Sequence, residues 1–231
     1  MANRLTFTDH GEIDHGEIGL ICNLTNTYCL VGSGGSENFY SSIEAEFEDV
    51  IPIIKTSIGG SSSVGRYCIG NKNGLLLPHI TTHEELQHIR RSLPDGVVVA
   101  LIENGLTSYG EFIACNDHMA LAHADLRWEF KELITDVLGV EVFMPEYYSF
   151  FSGTYFALSN IGGLIHPNAS KRVLDELSAA LEVPVEYGTV NRGSAALAPG
   201  MAVNDWTAFC GSSSTRAELR VIDRVFKLRE P

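Results

Sequence analysis

Long apolar runs are missing from this sequence. A membrane-spanning helix needs roughly 18 consecutive apolar residues, and a segment such as "VVVALI", Val97 to Ile102, has only the length of a strand. The first 30 residues hold no basic stretch leading into an apolar one, so no export signal is read there. Cysteine is sparse: Cys22, Cys29, Cys68, Cys115 and Cys210 are odd in number, lie in apolar segments and never take CxxC spacing. That argues against a thiolate zinc site or a disulfide framework and predicts reduced, buried thiols of a cytoplasmic or nuclear protein. Positive charge is short as well, with 16 Lys and Arg against 29 Asp and Glu and a net charge of −13. A broad phosphate-binding face needs several clustered cations. Direct contact with RNA or DNA is therefore expected to be slight, and a basic protein surface is the better partner. The 45% hydrophobic content suffices for one large core or two small ones, and 19% charged residues leaves little room for disorder.

What the sequence does have is repetition. "NKNGLLLP" (Asn71 to Pro78) returns as "NIGGLIHP" (Asn160 to Pro167). Asn and Gly supply the left-handed angles of a tight turn, and the apolar run after them reads as a buried strand. Asn26, Asn116 and Asn204 extend the series, at intervals of 45, 45, 44 and 44 residues. The fifth residue beyond each anchor is always apolar: Val31, Leu76, Leu121, Ile165 and Phe209. Each unit continues with a helix-periodic segment, such as Leu86, Ile89, Leu93 or Leu174, Leu177, Leu181, and then a short β-prone run. Gly65, Gly110, Gly153 and Gly200 sit between units. Three helices open on a capping-box pattern, Ser41 with Glu44, Thr82 with Glu85 and Thr215 with Glu218.

A fixed period of this size argues for a repeat architecture whose units share cores with their neighbours. Five units fill a single domain, approximately residues 4–60, 61–107, 108–150, 151–197 and 198–231. An open array would need polar caps at both ends; none is visible, and closure into a ring removes the exposed edges. The fifth unit lacks its last strand, while a β-prone "RLTFT" precedes the first, so Arg4 to Thr8 is expected to complete the fifth sheet. The expectation is an α/β ring of five blades with pseudo-five-fold symmetry, a propeller closed by its N-terminal strand.

Seven segments, in order, resemble the eukaryotic translation initiation factor 6 family. They are "LTNTYCLVGSGGSENFYS" (Leu24 to Ser42), "NKNGLLLP", "ELQHIRRSLPD" (Glu85 to Asp95), "ACNDHMAL", "SNIGGLIHP", "GTVNRGS" (Gly188 to Ser194) and "VNDWTAFCG" (Val203 to Gly211). The resemblance runs from about residue 17 to 229 and implies the pentein fold, in agreement with the repeat. It further implies a monomeric, non-enzymatic ribosome anti-association and large-subunit biogenesis factor. Such a factor binds the intersubunit face of the large (60S) ribosomal subunit near the sarcin–ricin loop, mainly through a basic ribosomal protein, and sterically prevents joining of the small subunit. A release GTPase and its cofactor acting on the same subunit, and residence in cytoplasm, nucleus and nucleolus, are implied with it; no small-molecule cofactor or membrane contact is. Two departures stand out. Where the family has Asn after the glycine that opens the third unit, this chain has Glu111, which changes the contact chemistry if that residue faces the partner. The tandem "HGEIDHGEI" (His10 to Ile18) reads as a five-residue loop insertion.

Because all units share one polarity, their glycine turns should project from one end. The residues after them, Arg66, Glu111, Thr154, Tyr155 and Met201, with the loop Ser57 to Val64 that holds Ser61, Ser62 and Ser63, form the candidate ribosome-binding set. Arg66 leads it, since interface hot spots favour Arg. Penteins also include enzymes that modify guanidino groups through a Cys nucleophile, so Cys210 and His166 are weighed as that pair. A reactive thiolate needs an exposed, electropositive setting, and Cys210 follows Ala208 and Phe209 at a strand end, where an inert thiol is the commoner outcome. A ring scaffold for a non-ribosomal protein is the other alternative. His83 and His88, five apart on a helix, lie on different faces, and His118 and His123 lack partners at ligand spacing, so no metal is expected. "GSGGS" and "GGSSSVG" lack the Lys-Ser/Thr of a phosphate loop, and Asn191 and Arg192 are read as structural.

Overall fold

A computed structural model describes residues 4–8, 16–35, 37–103, 107–124, 126, 128–144 and 153–228. Most of the tandem HGEI segment lies outside them. The chain enters through β1 (Arg4–Thr8), and the units after it repeat one motif, a single helical turn, a hairpin, a longer helix and, in all but the fifth, a return strand. In the first unit these are α1 (Ile18–Ile21), β2 (Cys22–Leu24), β3 (Cys29–Gly32), α2 (Glu37–Phe47) and β4 (Ile53–Thr56). The second has α3 (Val64–Tyr67), β5 (Ile69–Gly70), β6 (Gly74–Pro78), α4 (His83–Ser92) and β7 (Val98–Ile102). The third has α5 (Tyr109–Phe112), β8 (Ile113–Cys115), β9 (Met119–Ala122), α6 (Trp128–Leu138) and β10 (Glu141–Phe143). The fourth opens on a 3₁₀ turn, Gly153–Tyr155, followed by β11 (Phe156–Leu158), β12 (Gly163–Ile165), α7 (Lys171–Leu181) and β13 (Val185–Tyr187). The fifth has α8 (Leu197–Gly200), β14 (Met201–Val203), β15 (Thr207–Gly211) and α9 (Arg216–Phe226).

The result is an α/β fold of five three-stranded sheets among the described residues. Each hairpin is antiparallel, and each return strand lies parallel to the middle strand because a helix carries the chain back across the sheet. The fifth sheet takes its third strand from the start of the chain: β1 runs parallel to β15, with Arg4 opposite Thr207 and Thr8 opposite Gly211. The sequence pattern predicts this pairing.

Each long helix buries its apolar stripe against the sheet of the preceding unit as well as its own. Leu86 and Ile89 of α4 share a core with Leu30 and Ile54, and Ile134 and Val137 of α6 share one with Leu76 and Ile102. The helix of the first unit packs the same way on the last: Phe47 meets Phe209 edge-on at 5.7 Å between ring centres. No unit could bury its stripe alone, which is why the pattern had to be written five times.

Two of the three capping boxes form as read. Thr82 caps α4 with Glu85, and Thr215 caps α9 with Glu218. The Ser41–Glu44 pattern is a correction. Helix α2 begins at Glu37, one turn earlier, because Phe39 and Tyr40 already belong to the buried stripe; Ser41 lies inside the helix.

The box glutamates also reach backwards to hold a loop of the preceding unit. Glu85 accepts hydrogen bonds from the Ser57 hydroxyl (2.5 Å) and from the amides of Gly59 and Gly60. Glu218 accepts from the Thr189 hydroxyl (2.8 Å) and the amides of Arg192 and Gly193. "GGSSSVG" and "GTVNRGS" are thus built alike, and the structural reading of Asn191 and Arg192 agrees with their left-handed backbone angles inside this clamp. Burial pushes the Glu218 carboxyl up, but the amides of Thr215 and Gly193 and the hydroxyls of Thr215 and Thr189 outweigh it and hold its pKa at about 2. A depressed carboxylate stabilises the fold fully above its unfolded pKa, near 4.5, and that contribution fades as pH falls toward 2. Glu218→Gln, which points an NH2 group at N–H donors, is expected to cost about 2–3 kcal/mol at pH 7. Chemical denaturation should show it, and the variant's stability should change less than the wild type's between pH 4.5 and 2.

Candidate functional site

The first strands of the five sheets, β2, β5, β8, β11 and β14, line a cavity of about 460 Å³. One end is made by the single helical turns. Here three of the four glycines read as projecting turns, Gly65, Gly110 and Gly153, are packed shoulder to shoulder; Gly200 is not among them, a Cβ there meeting the Val190 side chain at 2.3 Å, and Ala198 takes the fifth unit's place in the row. A Cβ on Gly65 would lie 2.0 Å from the Gly19 carbonyl oxygen, one on Gly110 would lie 2.4 Å from that of Gly65, and one on Gly153 would lie 2.6 Å from that of Gly110. Only a residue without a side chain lets backbones approach this closely. The first unit's counterpart is Gly19, whose Cβ would come within 1.7 Å of the Ala198 carbonyl. Sequence reading missed it, although Gly19 precedes Gly65 by close to the repeat spacing.

The hairpin turns at the other end are laced together by side chains. Asn71, Asn116 and Asn204 each accept two amide hydrogens of their own turn and donate to the next unit, to the carbonyls of Asn116 (3.2 Å), Ser159 (3.1 Å) and Thr25 (3.1 Å). In the first and fourth units the equivalent residues are Thr25 and Ser159, whose hydroxyls accept the same pair of amides. Asn26 and Asn160, the anchors taken from the sequence, therefore sit one residue further on. Their side chains do something else. Each amide nitrogen donates to both Asp117 and Asp205, at 2.7 and 2.9 Å from Asn26 and 2.7 and 2.8 Å from Asn160. The amides of Lys72, Asp117, Asn160 and Asp205 each donate to the turn side chain of the neighbouring unit. Two carboxylates held by two amides, with their remaining oxygens on backbone N–H groups, make a rigid floor.

Of the sequence-predicted set, Arg66, Glu111, Thr154 and Met201 line the cavity together. Arg66 on α3 and Glu111 on α5 form an ion pair at 2.8 Å, their side chains 45% and 38% exposed. Met201 is only 3% exposed on β14, so it packs rather than presents itself. Tyr155 stands away from the cavity lining, edge-on to His166 at 4.9 Å between ring centres. His166 is a turn residue, its Nδ1 accepting from the Asn168 amide at 2.9 Å. Ser61, Ser62 and Ser63 also lie outside the lining, in the loop clamped by Glu85; Ser61 pairs with Ile58, and the Ser62 carbonyl rests against Gly32. Among the described residues, no group of three or more His, Cys, Asp or Glu could hold a metal. Cys210 is fully buried, and burial pushes its thiol up to about 12, the opposite of what a nucleophile needs.

Shared cores, a laced floor and a half-exposed ion pair at the helical end describe a rigid α/β protein. Comparison with known proteins gives that class its family. The sequence model of the eIF-6 family matches residues 12–225, and the chain belongs to that family. It is 58% identical over 231 residues to eukaryotic translation initiation factor 6-2 of Arabidopsis thaliana, covering 100% of this chain and 92% of that one. Identity to eukaryotic translation initiation factor 6 of Drosophila melanogaster is 50%, with the same coverage. These relatives are translation factors and not enzymes, so the guanidino-modifying alternative falls. Among solved structures, a dimethylarginine dimethylaminohydrolase from Pseudomonas aeruginosa aligns with 74% of this chain and 68% of its own at 14% identity, with a TM-score of 0.47. That likeness is too slight to bear on chemistry.

Proposed function

We propose that this protein is a ribosome anti-association and large-subunit biogenesis factor that docks on the joining face of the large ribosomal subunit and excludes the small subunit by occupying it. Family membership over nearly the whole chain carries this reading. We infer with it that the five sheets close into one five-bladed ring. In support, α1 contacts both α3 and α8, α3 contacts α5, and the turn Gly153–Tyr155 contacts both α5 and α8, while β1 joins the first segment of the chain to the last sheet. The docking face is the helical end, where Arg66 and Glu111 are half-exposed, and it meets a basic ribosomal protein with little rRNA beneath it. The protein acts as a monomer in cytoplasm, nucleus and nucleolus, and a GTPase with its cofactor releases it.

In a sucrose gradient the protein should travel with free large subunits and never with joined ribosomes. Absence from the large-subunit fractions overturns the reading. Arg66→Glu faces Glu111 with a like charge and removes a guanidinium from the docking face; co-sedimentation is expected to weaken roughly tenfold or more. Unchanged binding would remove this placement of the face, while the gradient result for the wild type would stand.

A further inference from the structure

Basic residues are too few and too scattered along this sequence to suggest a phosphate-binding face, yet α9 carries three of them on one side. Arg216, Arg220 and Arg224 follow each other at four-residue steps, Lys227 follows just past the end of the helix, and all four are exposed. Leu219, Ile222, Val225 and Phe226 occupy the opposite side of the helix, facing the core they share with β12 and β15. Arg216 and Arg220 have no hydrogen bond or ion pair among the described residues, Arg224 is held by Glu186 of β13, and half-buried Asp223, three residues beyond Arg220, shares their side of the helix.

Stability explains the end of this row, where Arg224 pairs with Glu186 and cations suit the helix C-terminus, but not its start. Arg216 is the first residue of α9, where the positive end of the helix dipole disfavours a cation. Like charges at four-residue steps also repel along a helix. A chain that carries 16 basic residues among 29 acidic ones places three arginines where each opposes its neighbour. Local rules are broken this way where function requires it.

We propose that the outer ridge of α9 contacts the phosphate backbone of RNA. Four residues of helix rise about 6 Å, which suits guanidinium groups meeting successive phosphates of one strand, and the planar fork of Arg matches a phosphate's oxygens two at a time. The net charge of −13 keeps affinity for free RNA low, so the ridge acts as a local contact once the protein is docked. The inference rests on the ribosomal reading for the source of the RNA, and it adds a narrow contact where overall charge forbids a broad one.

The test compares wild type with Arg216→Glu/Arg220→Glu and Arg216→Gln/Arg220→Gln, in binding to purified large subunits across a salt series and in ultraviolet crosslinking. Both variants should melt no lower than the wild type, since each removes a charge that the helix disfavours. The Gln variant should bind about tenfold more weakly at 0.1 M salt and lower the log–log salt slope by about 2, one per lost phosphate contact. Crosslinks from α9 to rRNA should disappear. Equal affinity and slope for all three proteins would overturn the proposal, as would crosslinks from α9 to a protein alone, which would make the ridge an acidic-protein site. If the wild type does not bind subunits but binds a labelled single-stranded RNA oligonucleotide at low salt through the ridge, the ribosomal reading fails and the ridge stands.

Discussion

Gly19→Ala should destabilise the fold severely. The new methyl would sit 1.7 Å from the Ala198 carbonyl oxygen and 2.6 Å from that of Met201, and both obstacles are backbone. A flexible side chain could swing aside; a helical turn wedged between two others cannot. Relief means separating α1 from α8, which reaches into the core where Ile18 and Ile21 pack with Ala202 and Phe209. The cost is more than about 3 kcal/mol, or roughly 6–12 °C in melting temperature for a chain of this size. Gly96→Ala is the control: nothing lies within 4 Å of its Cβ, but its φ of +93° strains any side chain, for about 1 kcal/mol. Thermal melts of the two variants separate close packing from backbone strain. A Gly19→Ala protein that melts within a degree or two of wild type would mean that the turns do not touch as described.

The five-fold period and the pairing of Arg4–Thr8 with the last sheet were legible because strands and helices leave periodic apolar traces. What escaped was chemistry in which different residues do the same work. Thr25 and Ser159 accept the same two amides as Asn71 does, so a search for repeated Asn slid one place in two units. The single helical turns were invisible for another reason: four residues carry no period, and their glycines are defined by neighbours about 45 residues away. Ser41 and Glu44 had the spacing of a cap, but Phe39 and Tyr40 already had a core to fill, and burial outranks a cap. Arg66 and Glu111 were read into one annulus, yet that they pair with each other depends on adjacent turns lying side by side. The α9 ridge went unseen because four-residue spacing dilutes charge along the sequence and concentrates it on the helix.

Asn160→Asp should expose how the floor is held. In the wild type each amide hydrogen of this side chain goes to a different carboxylate, so two negative charges face a donor and not each other. The substitution changes one NH2 group to an oxygen, alters volume hardly at all, and puts a third carboxylate against Asp117 and Asp205. Loss of two charge-assisted bonds with the added repulsion is expected to cost about 4 kcal/mol at pH 7, or roughly 8–16 °C. Asn160→Ala loses the bonds without the charge and should cost about 2 kcal/mol. The pH dependence tells the two apart. A carboxyl inserted between two others binds its proton more tightly folded than unfolded, so its pKa rises on folding. The Asp variant's deficit is therefore complete above that raised pKa and shrinks as pH falls through it, while the Ala variant's deficit relative to wild type stays level over the same range. Parallel curves for the two variants between pH 8 and 5 would show that Asp117 and Asp205 do not face residue 160, and the laced floor would have to be redrawn.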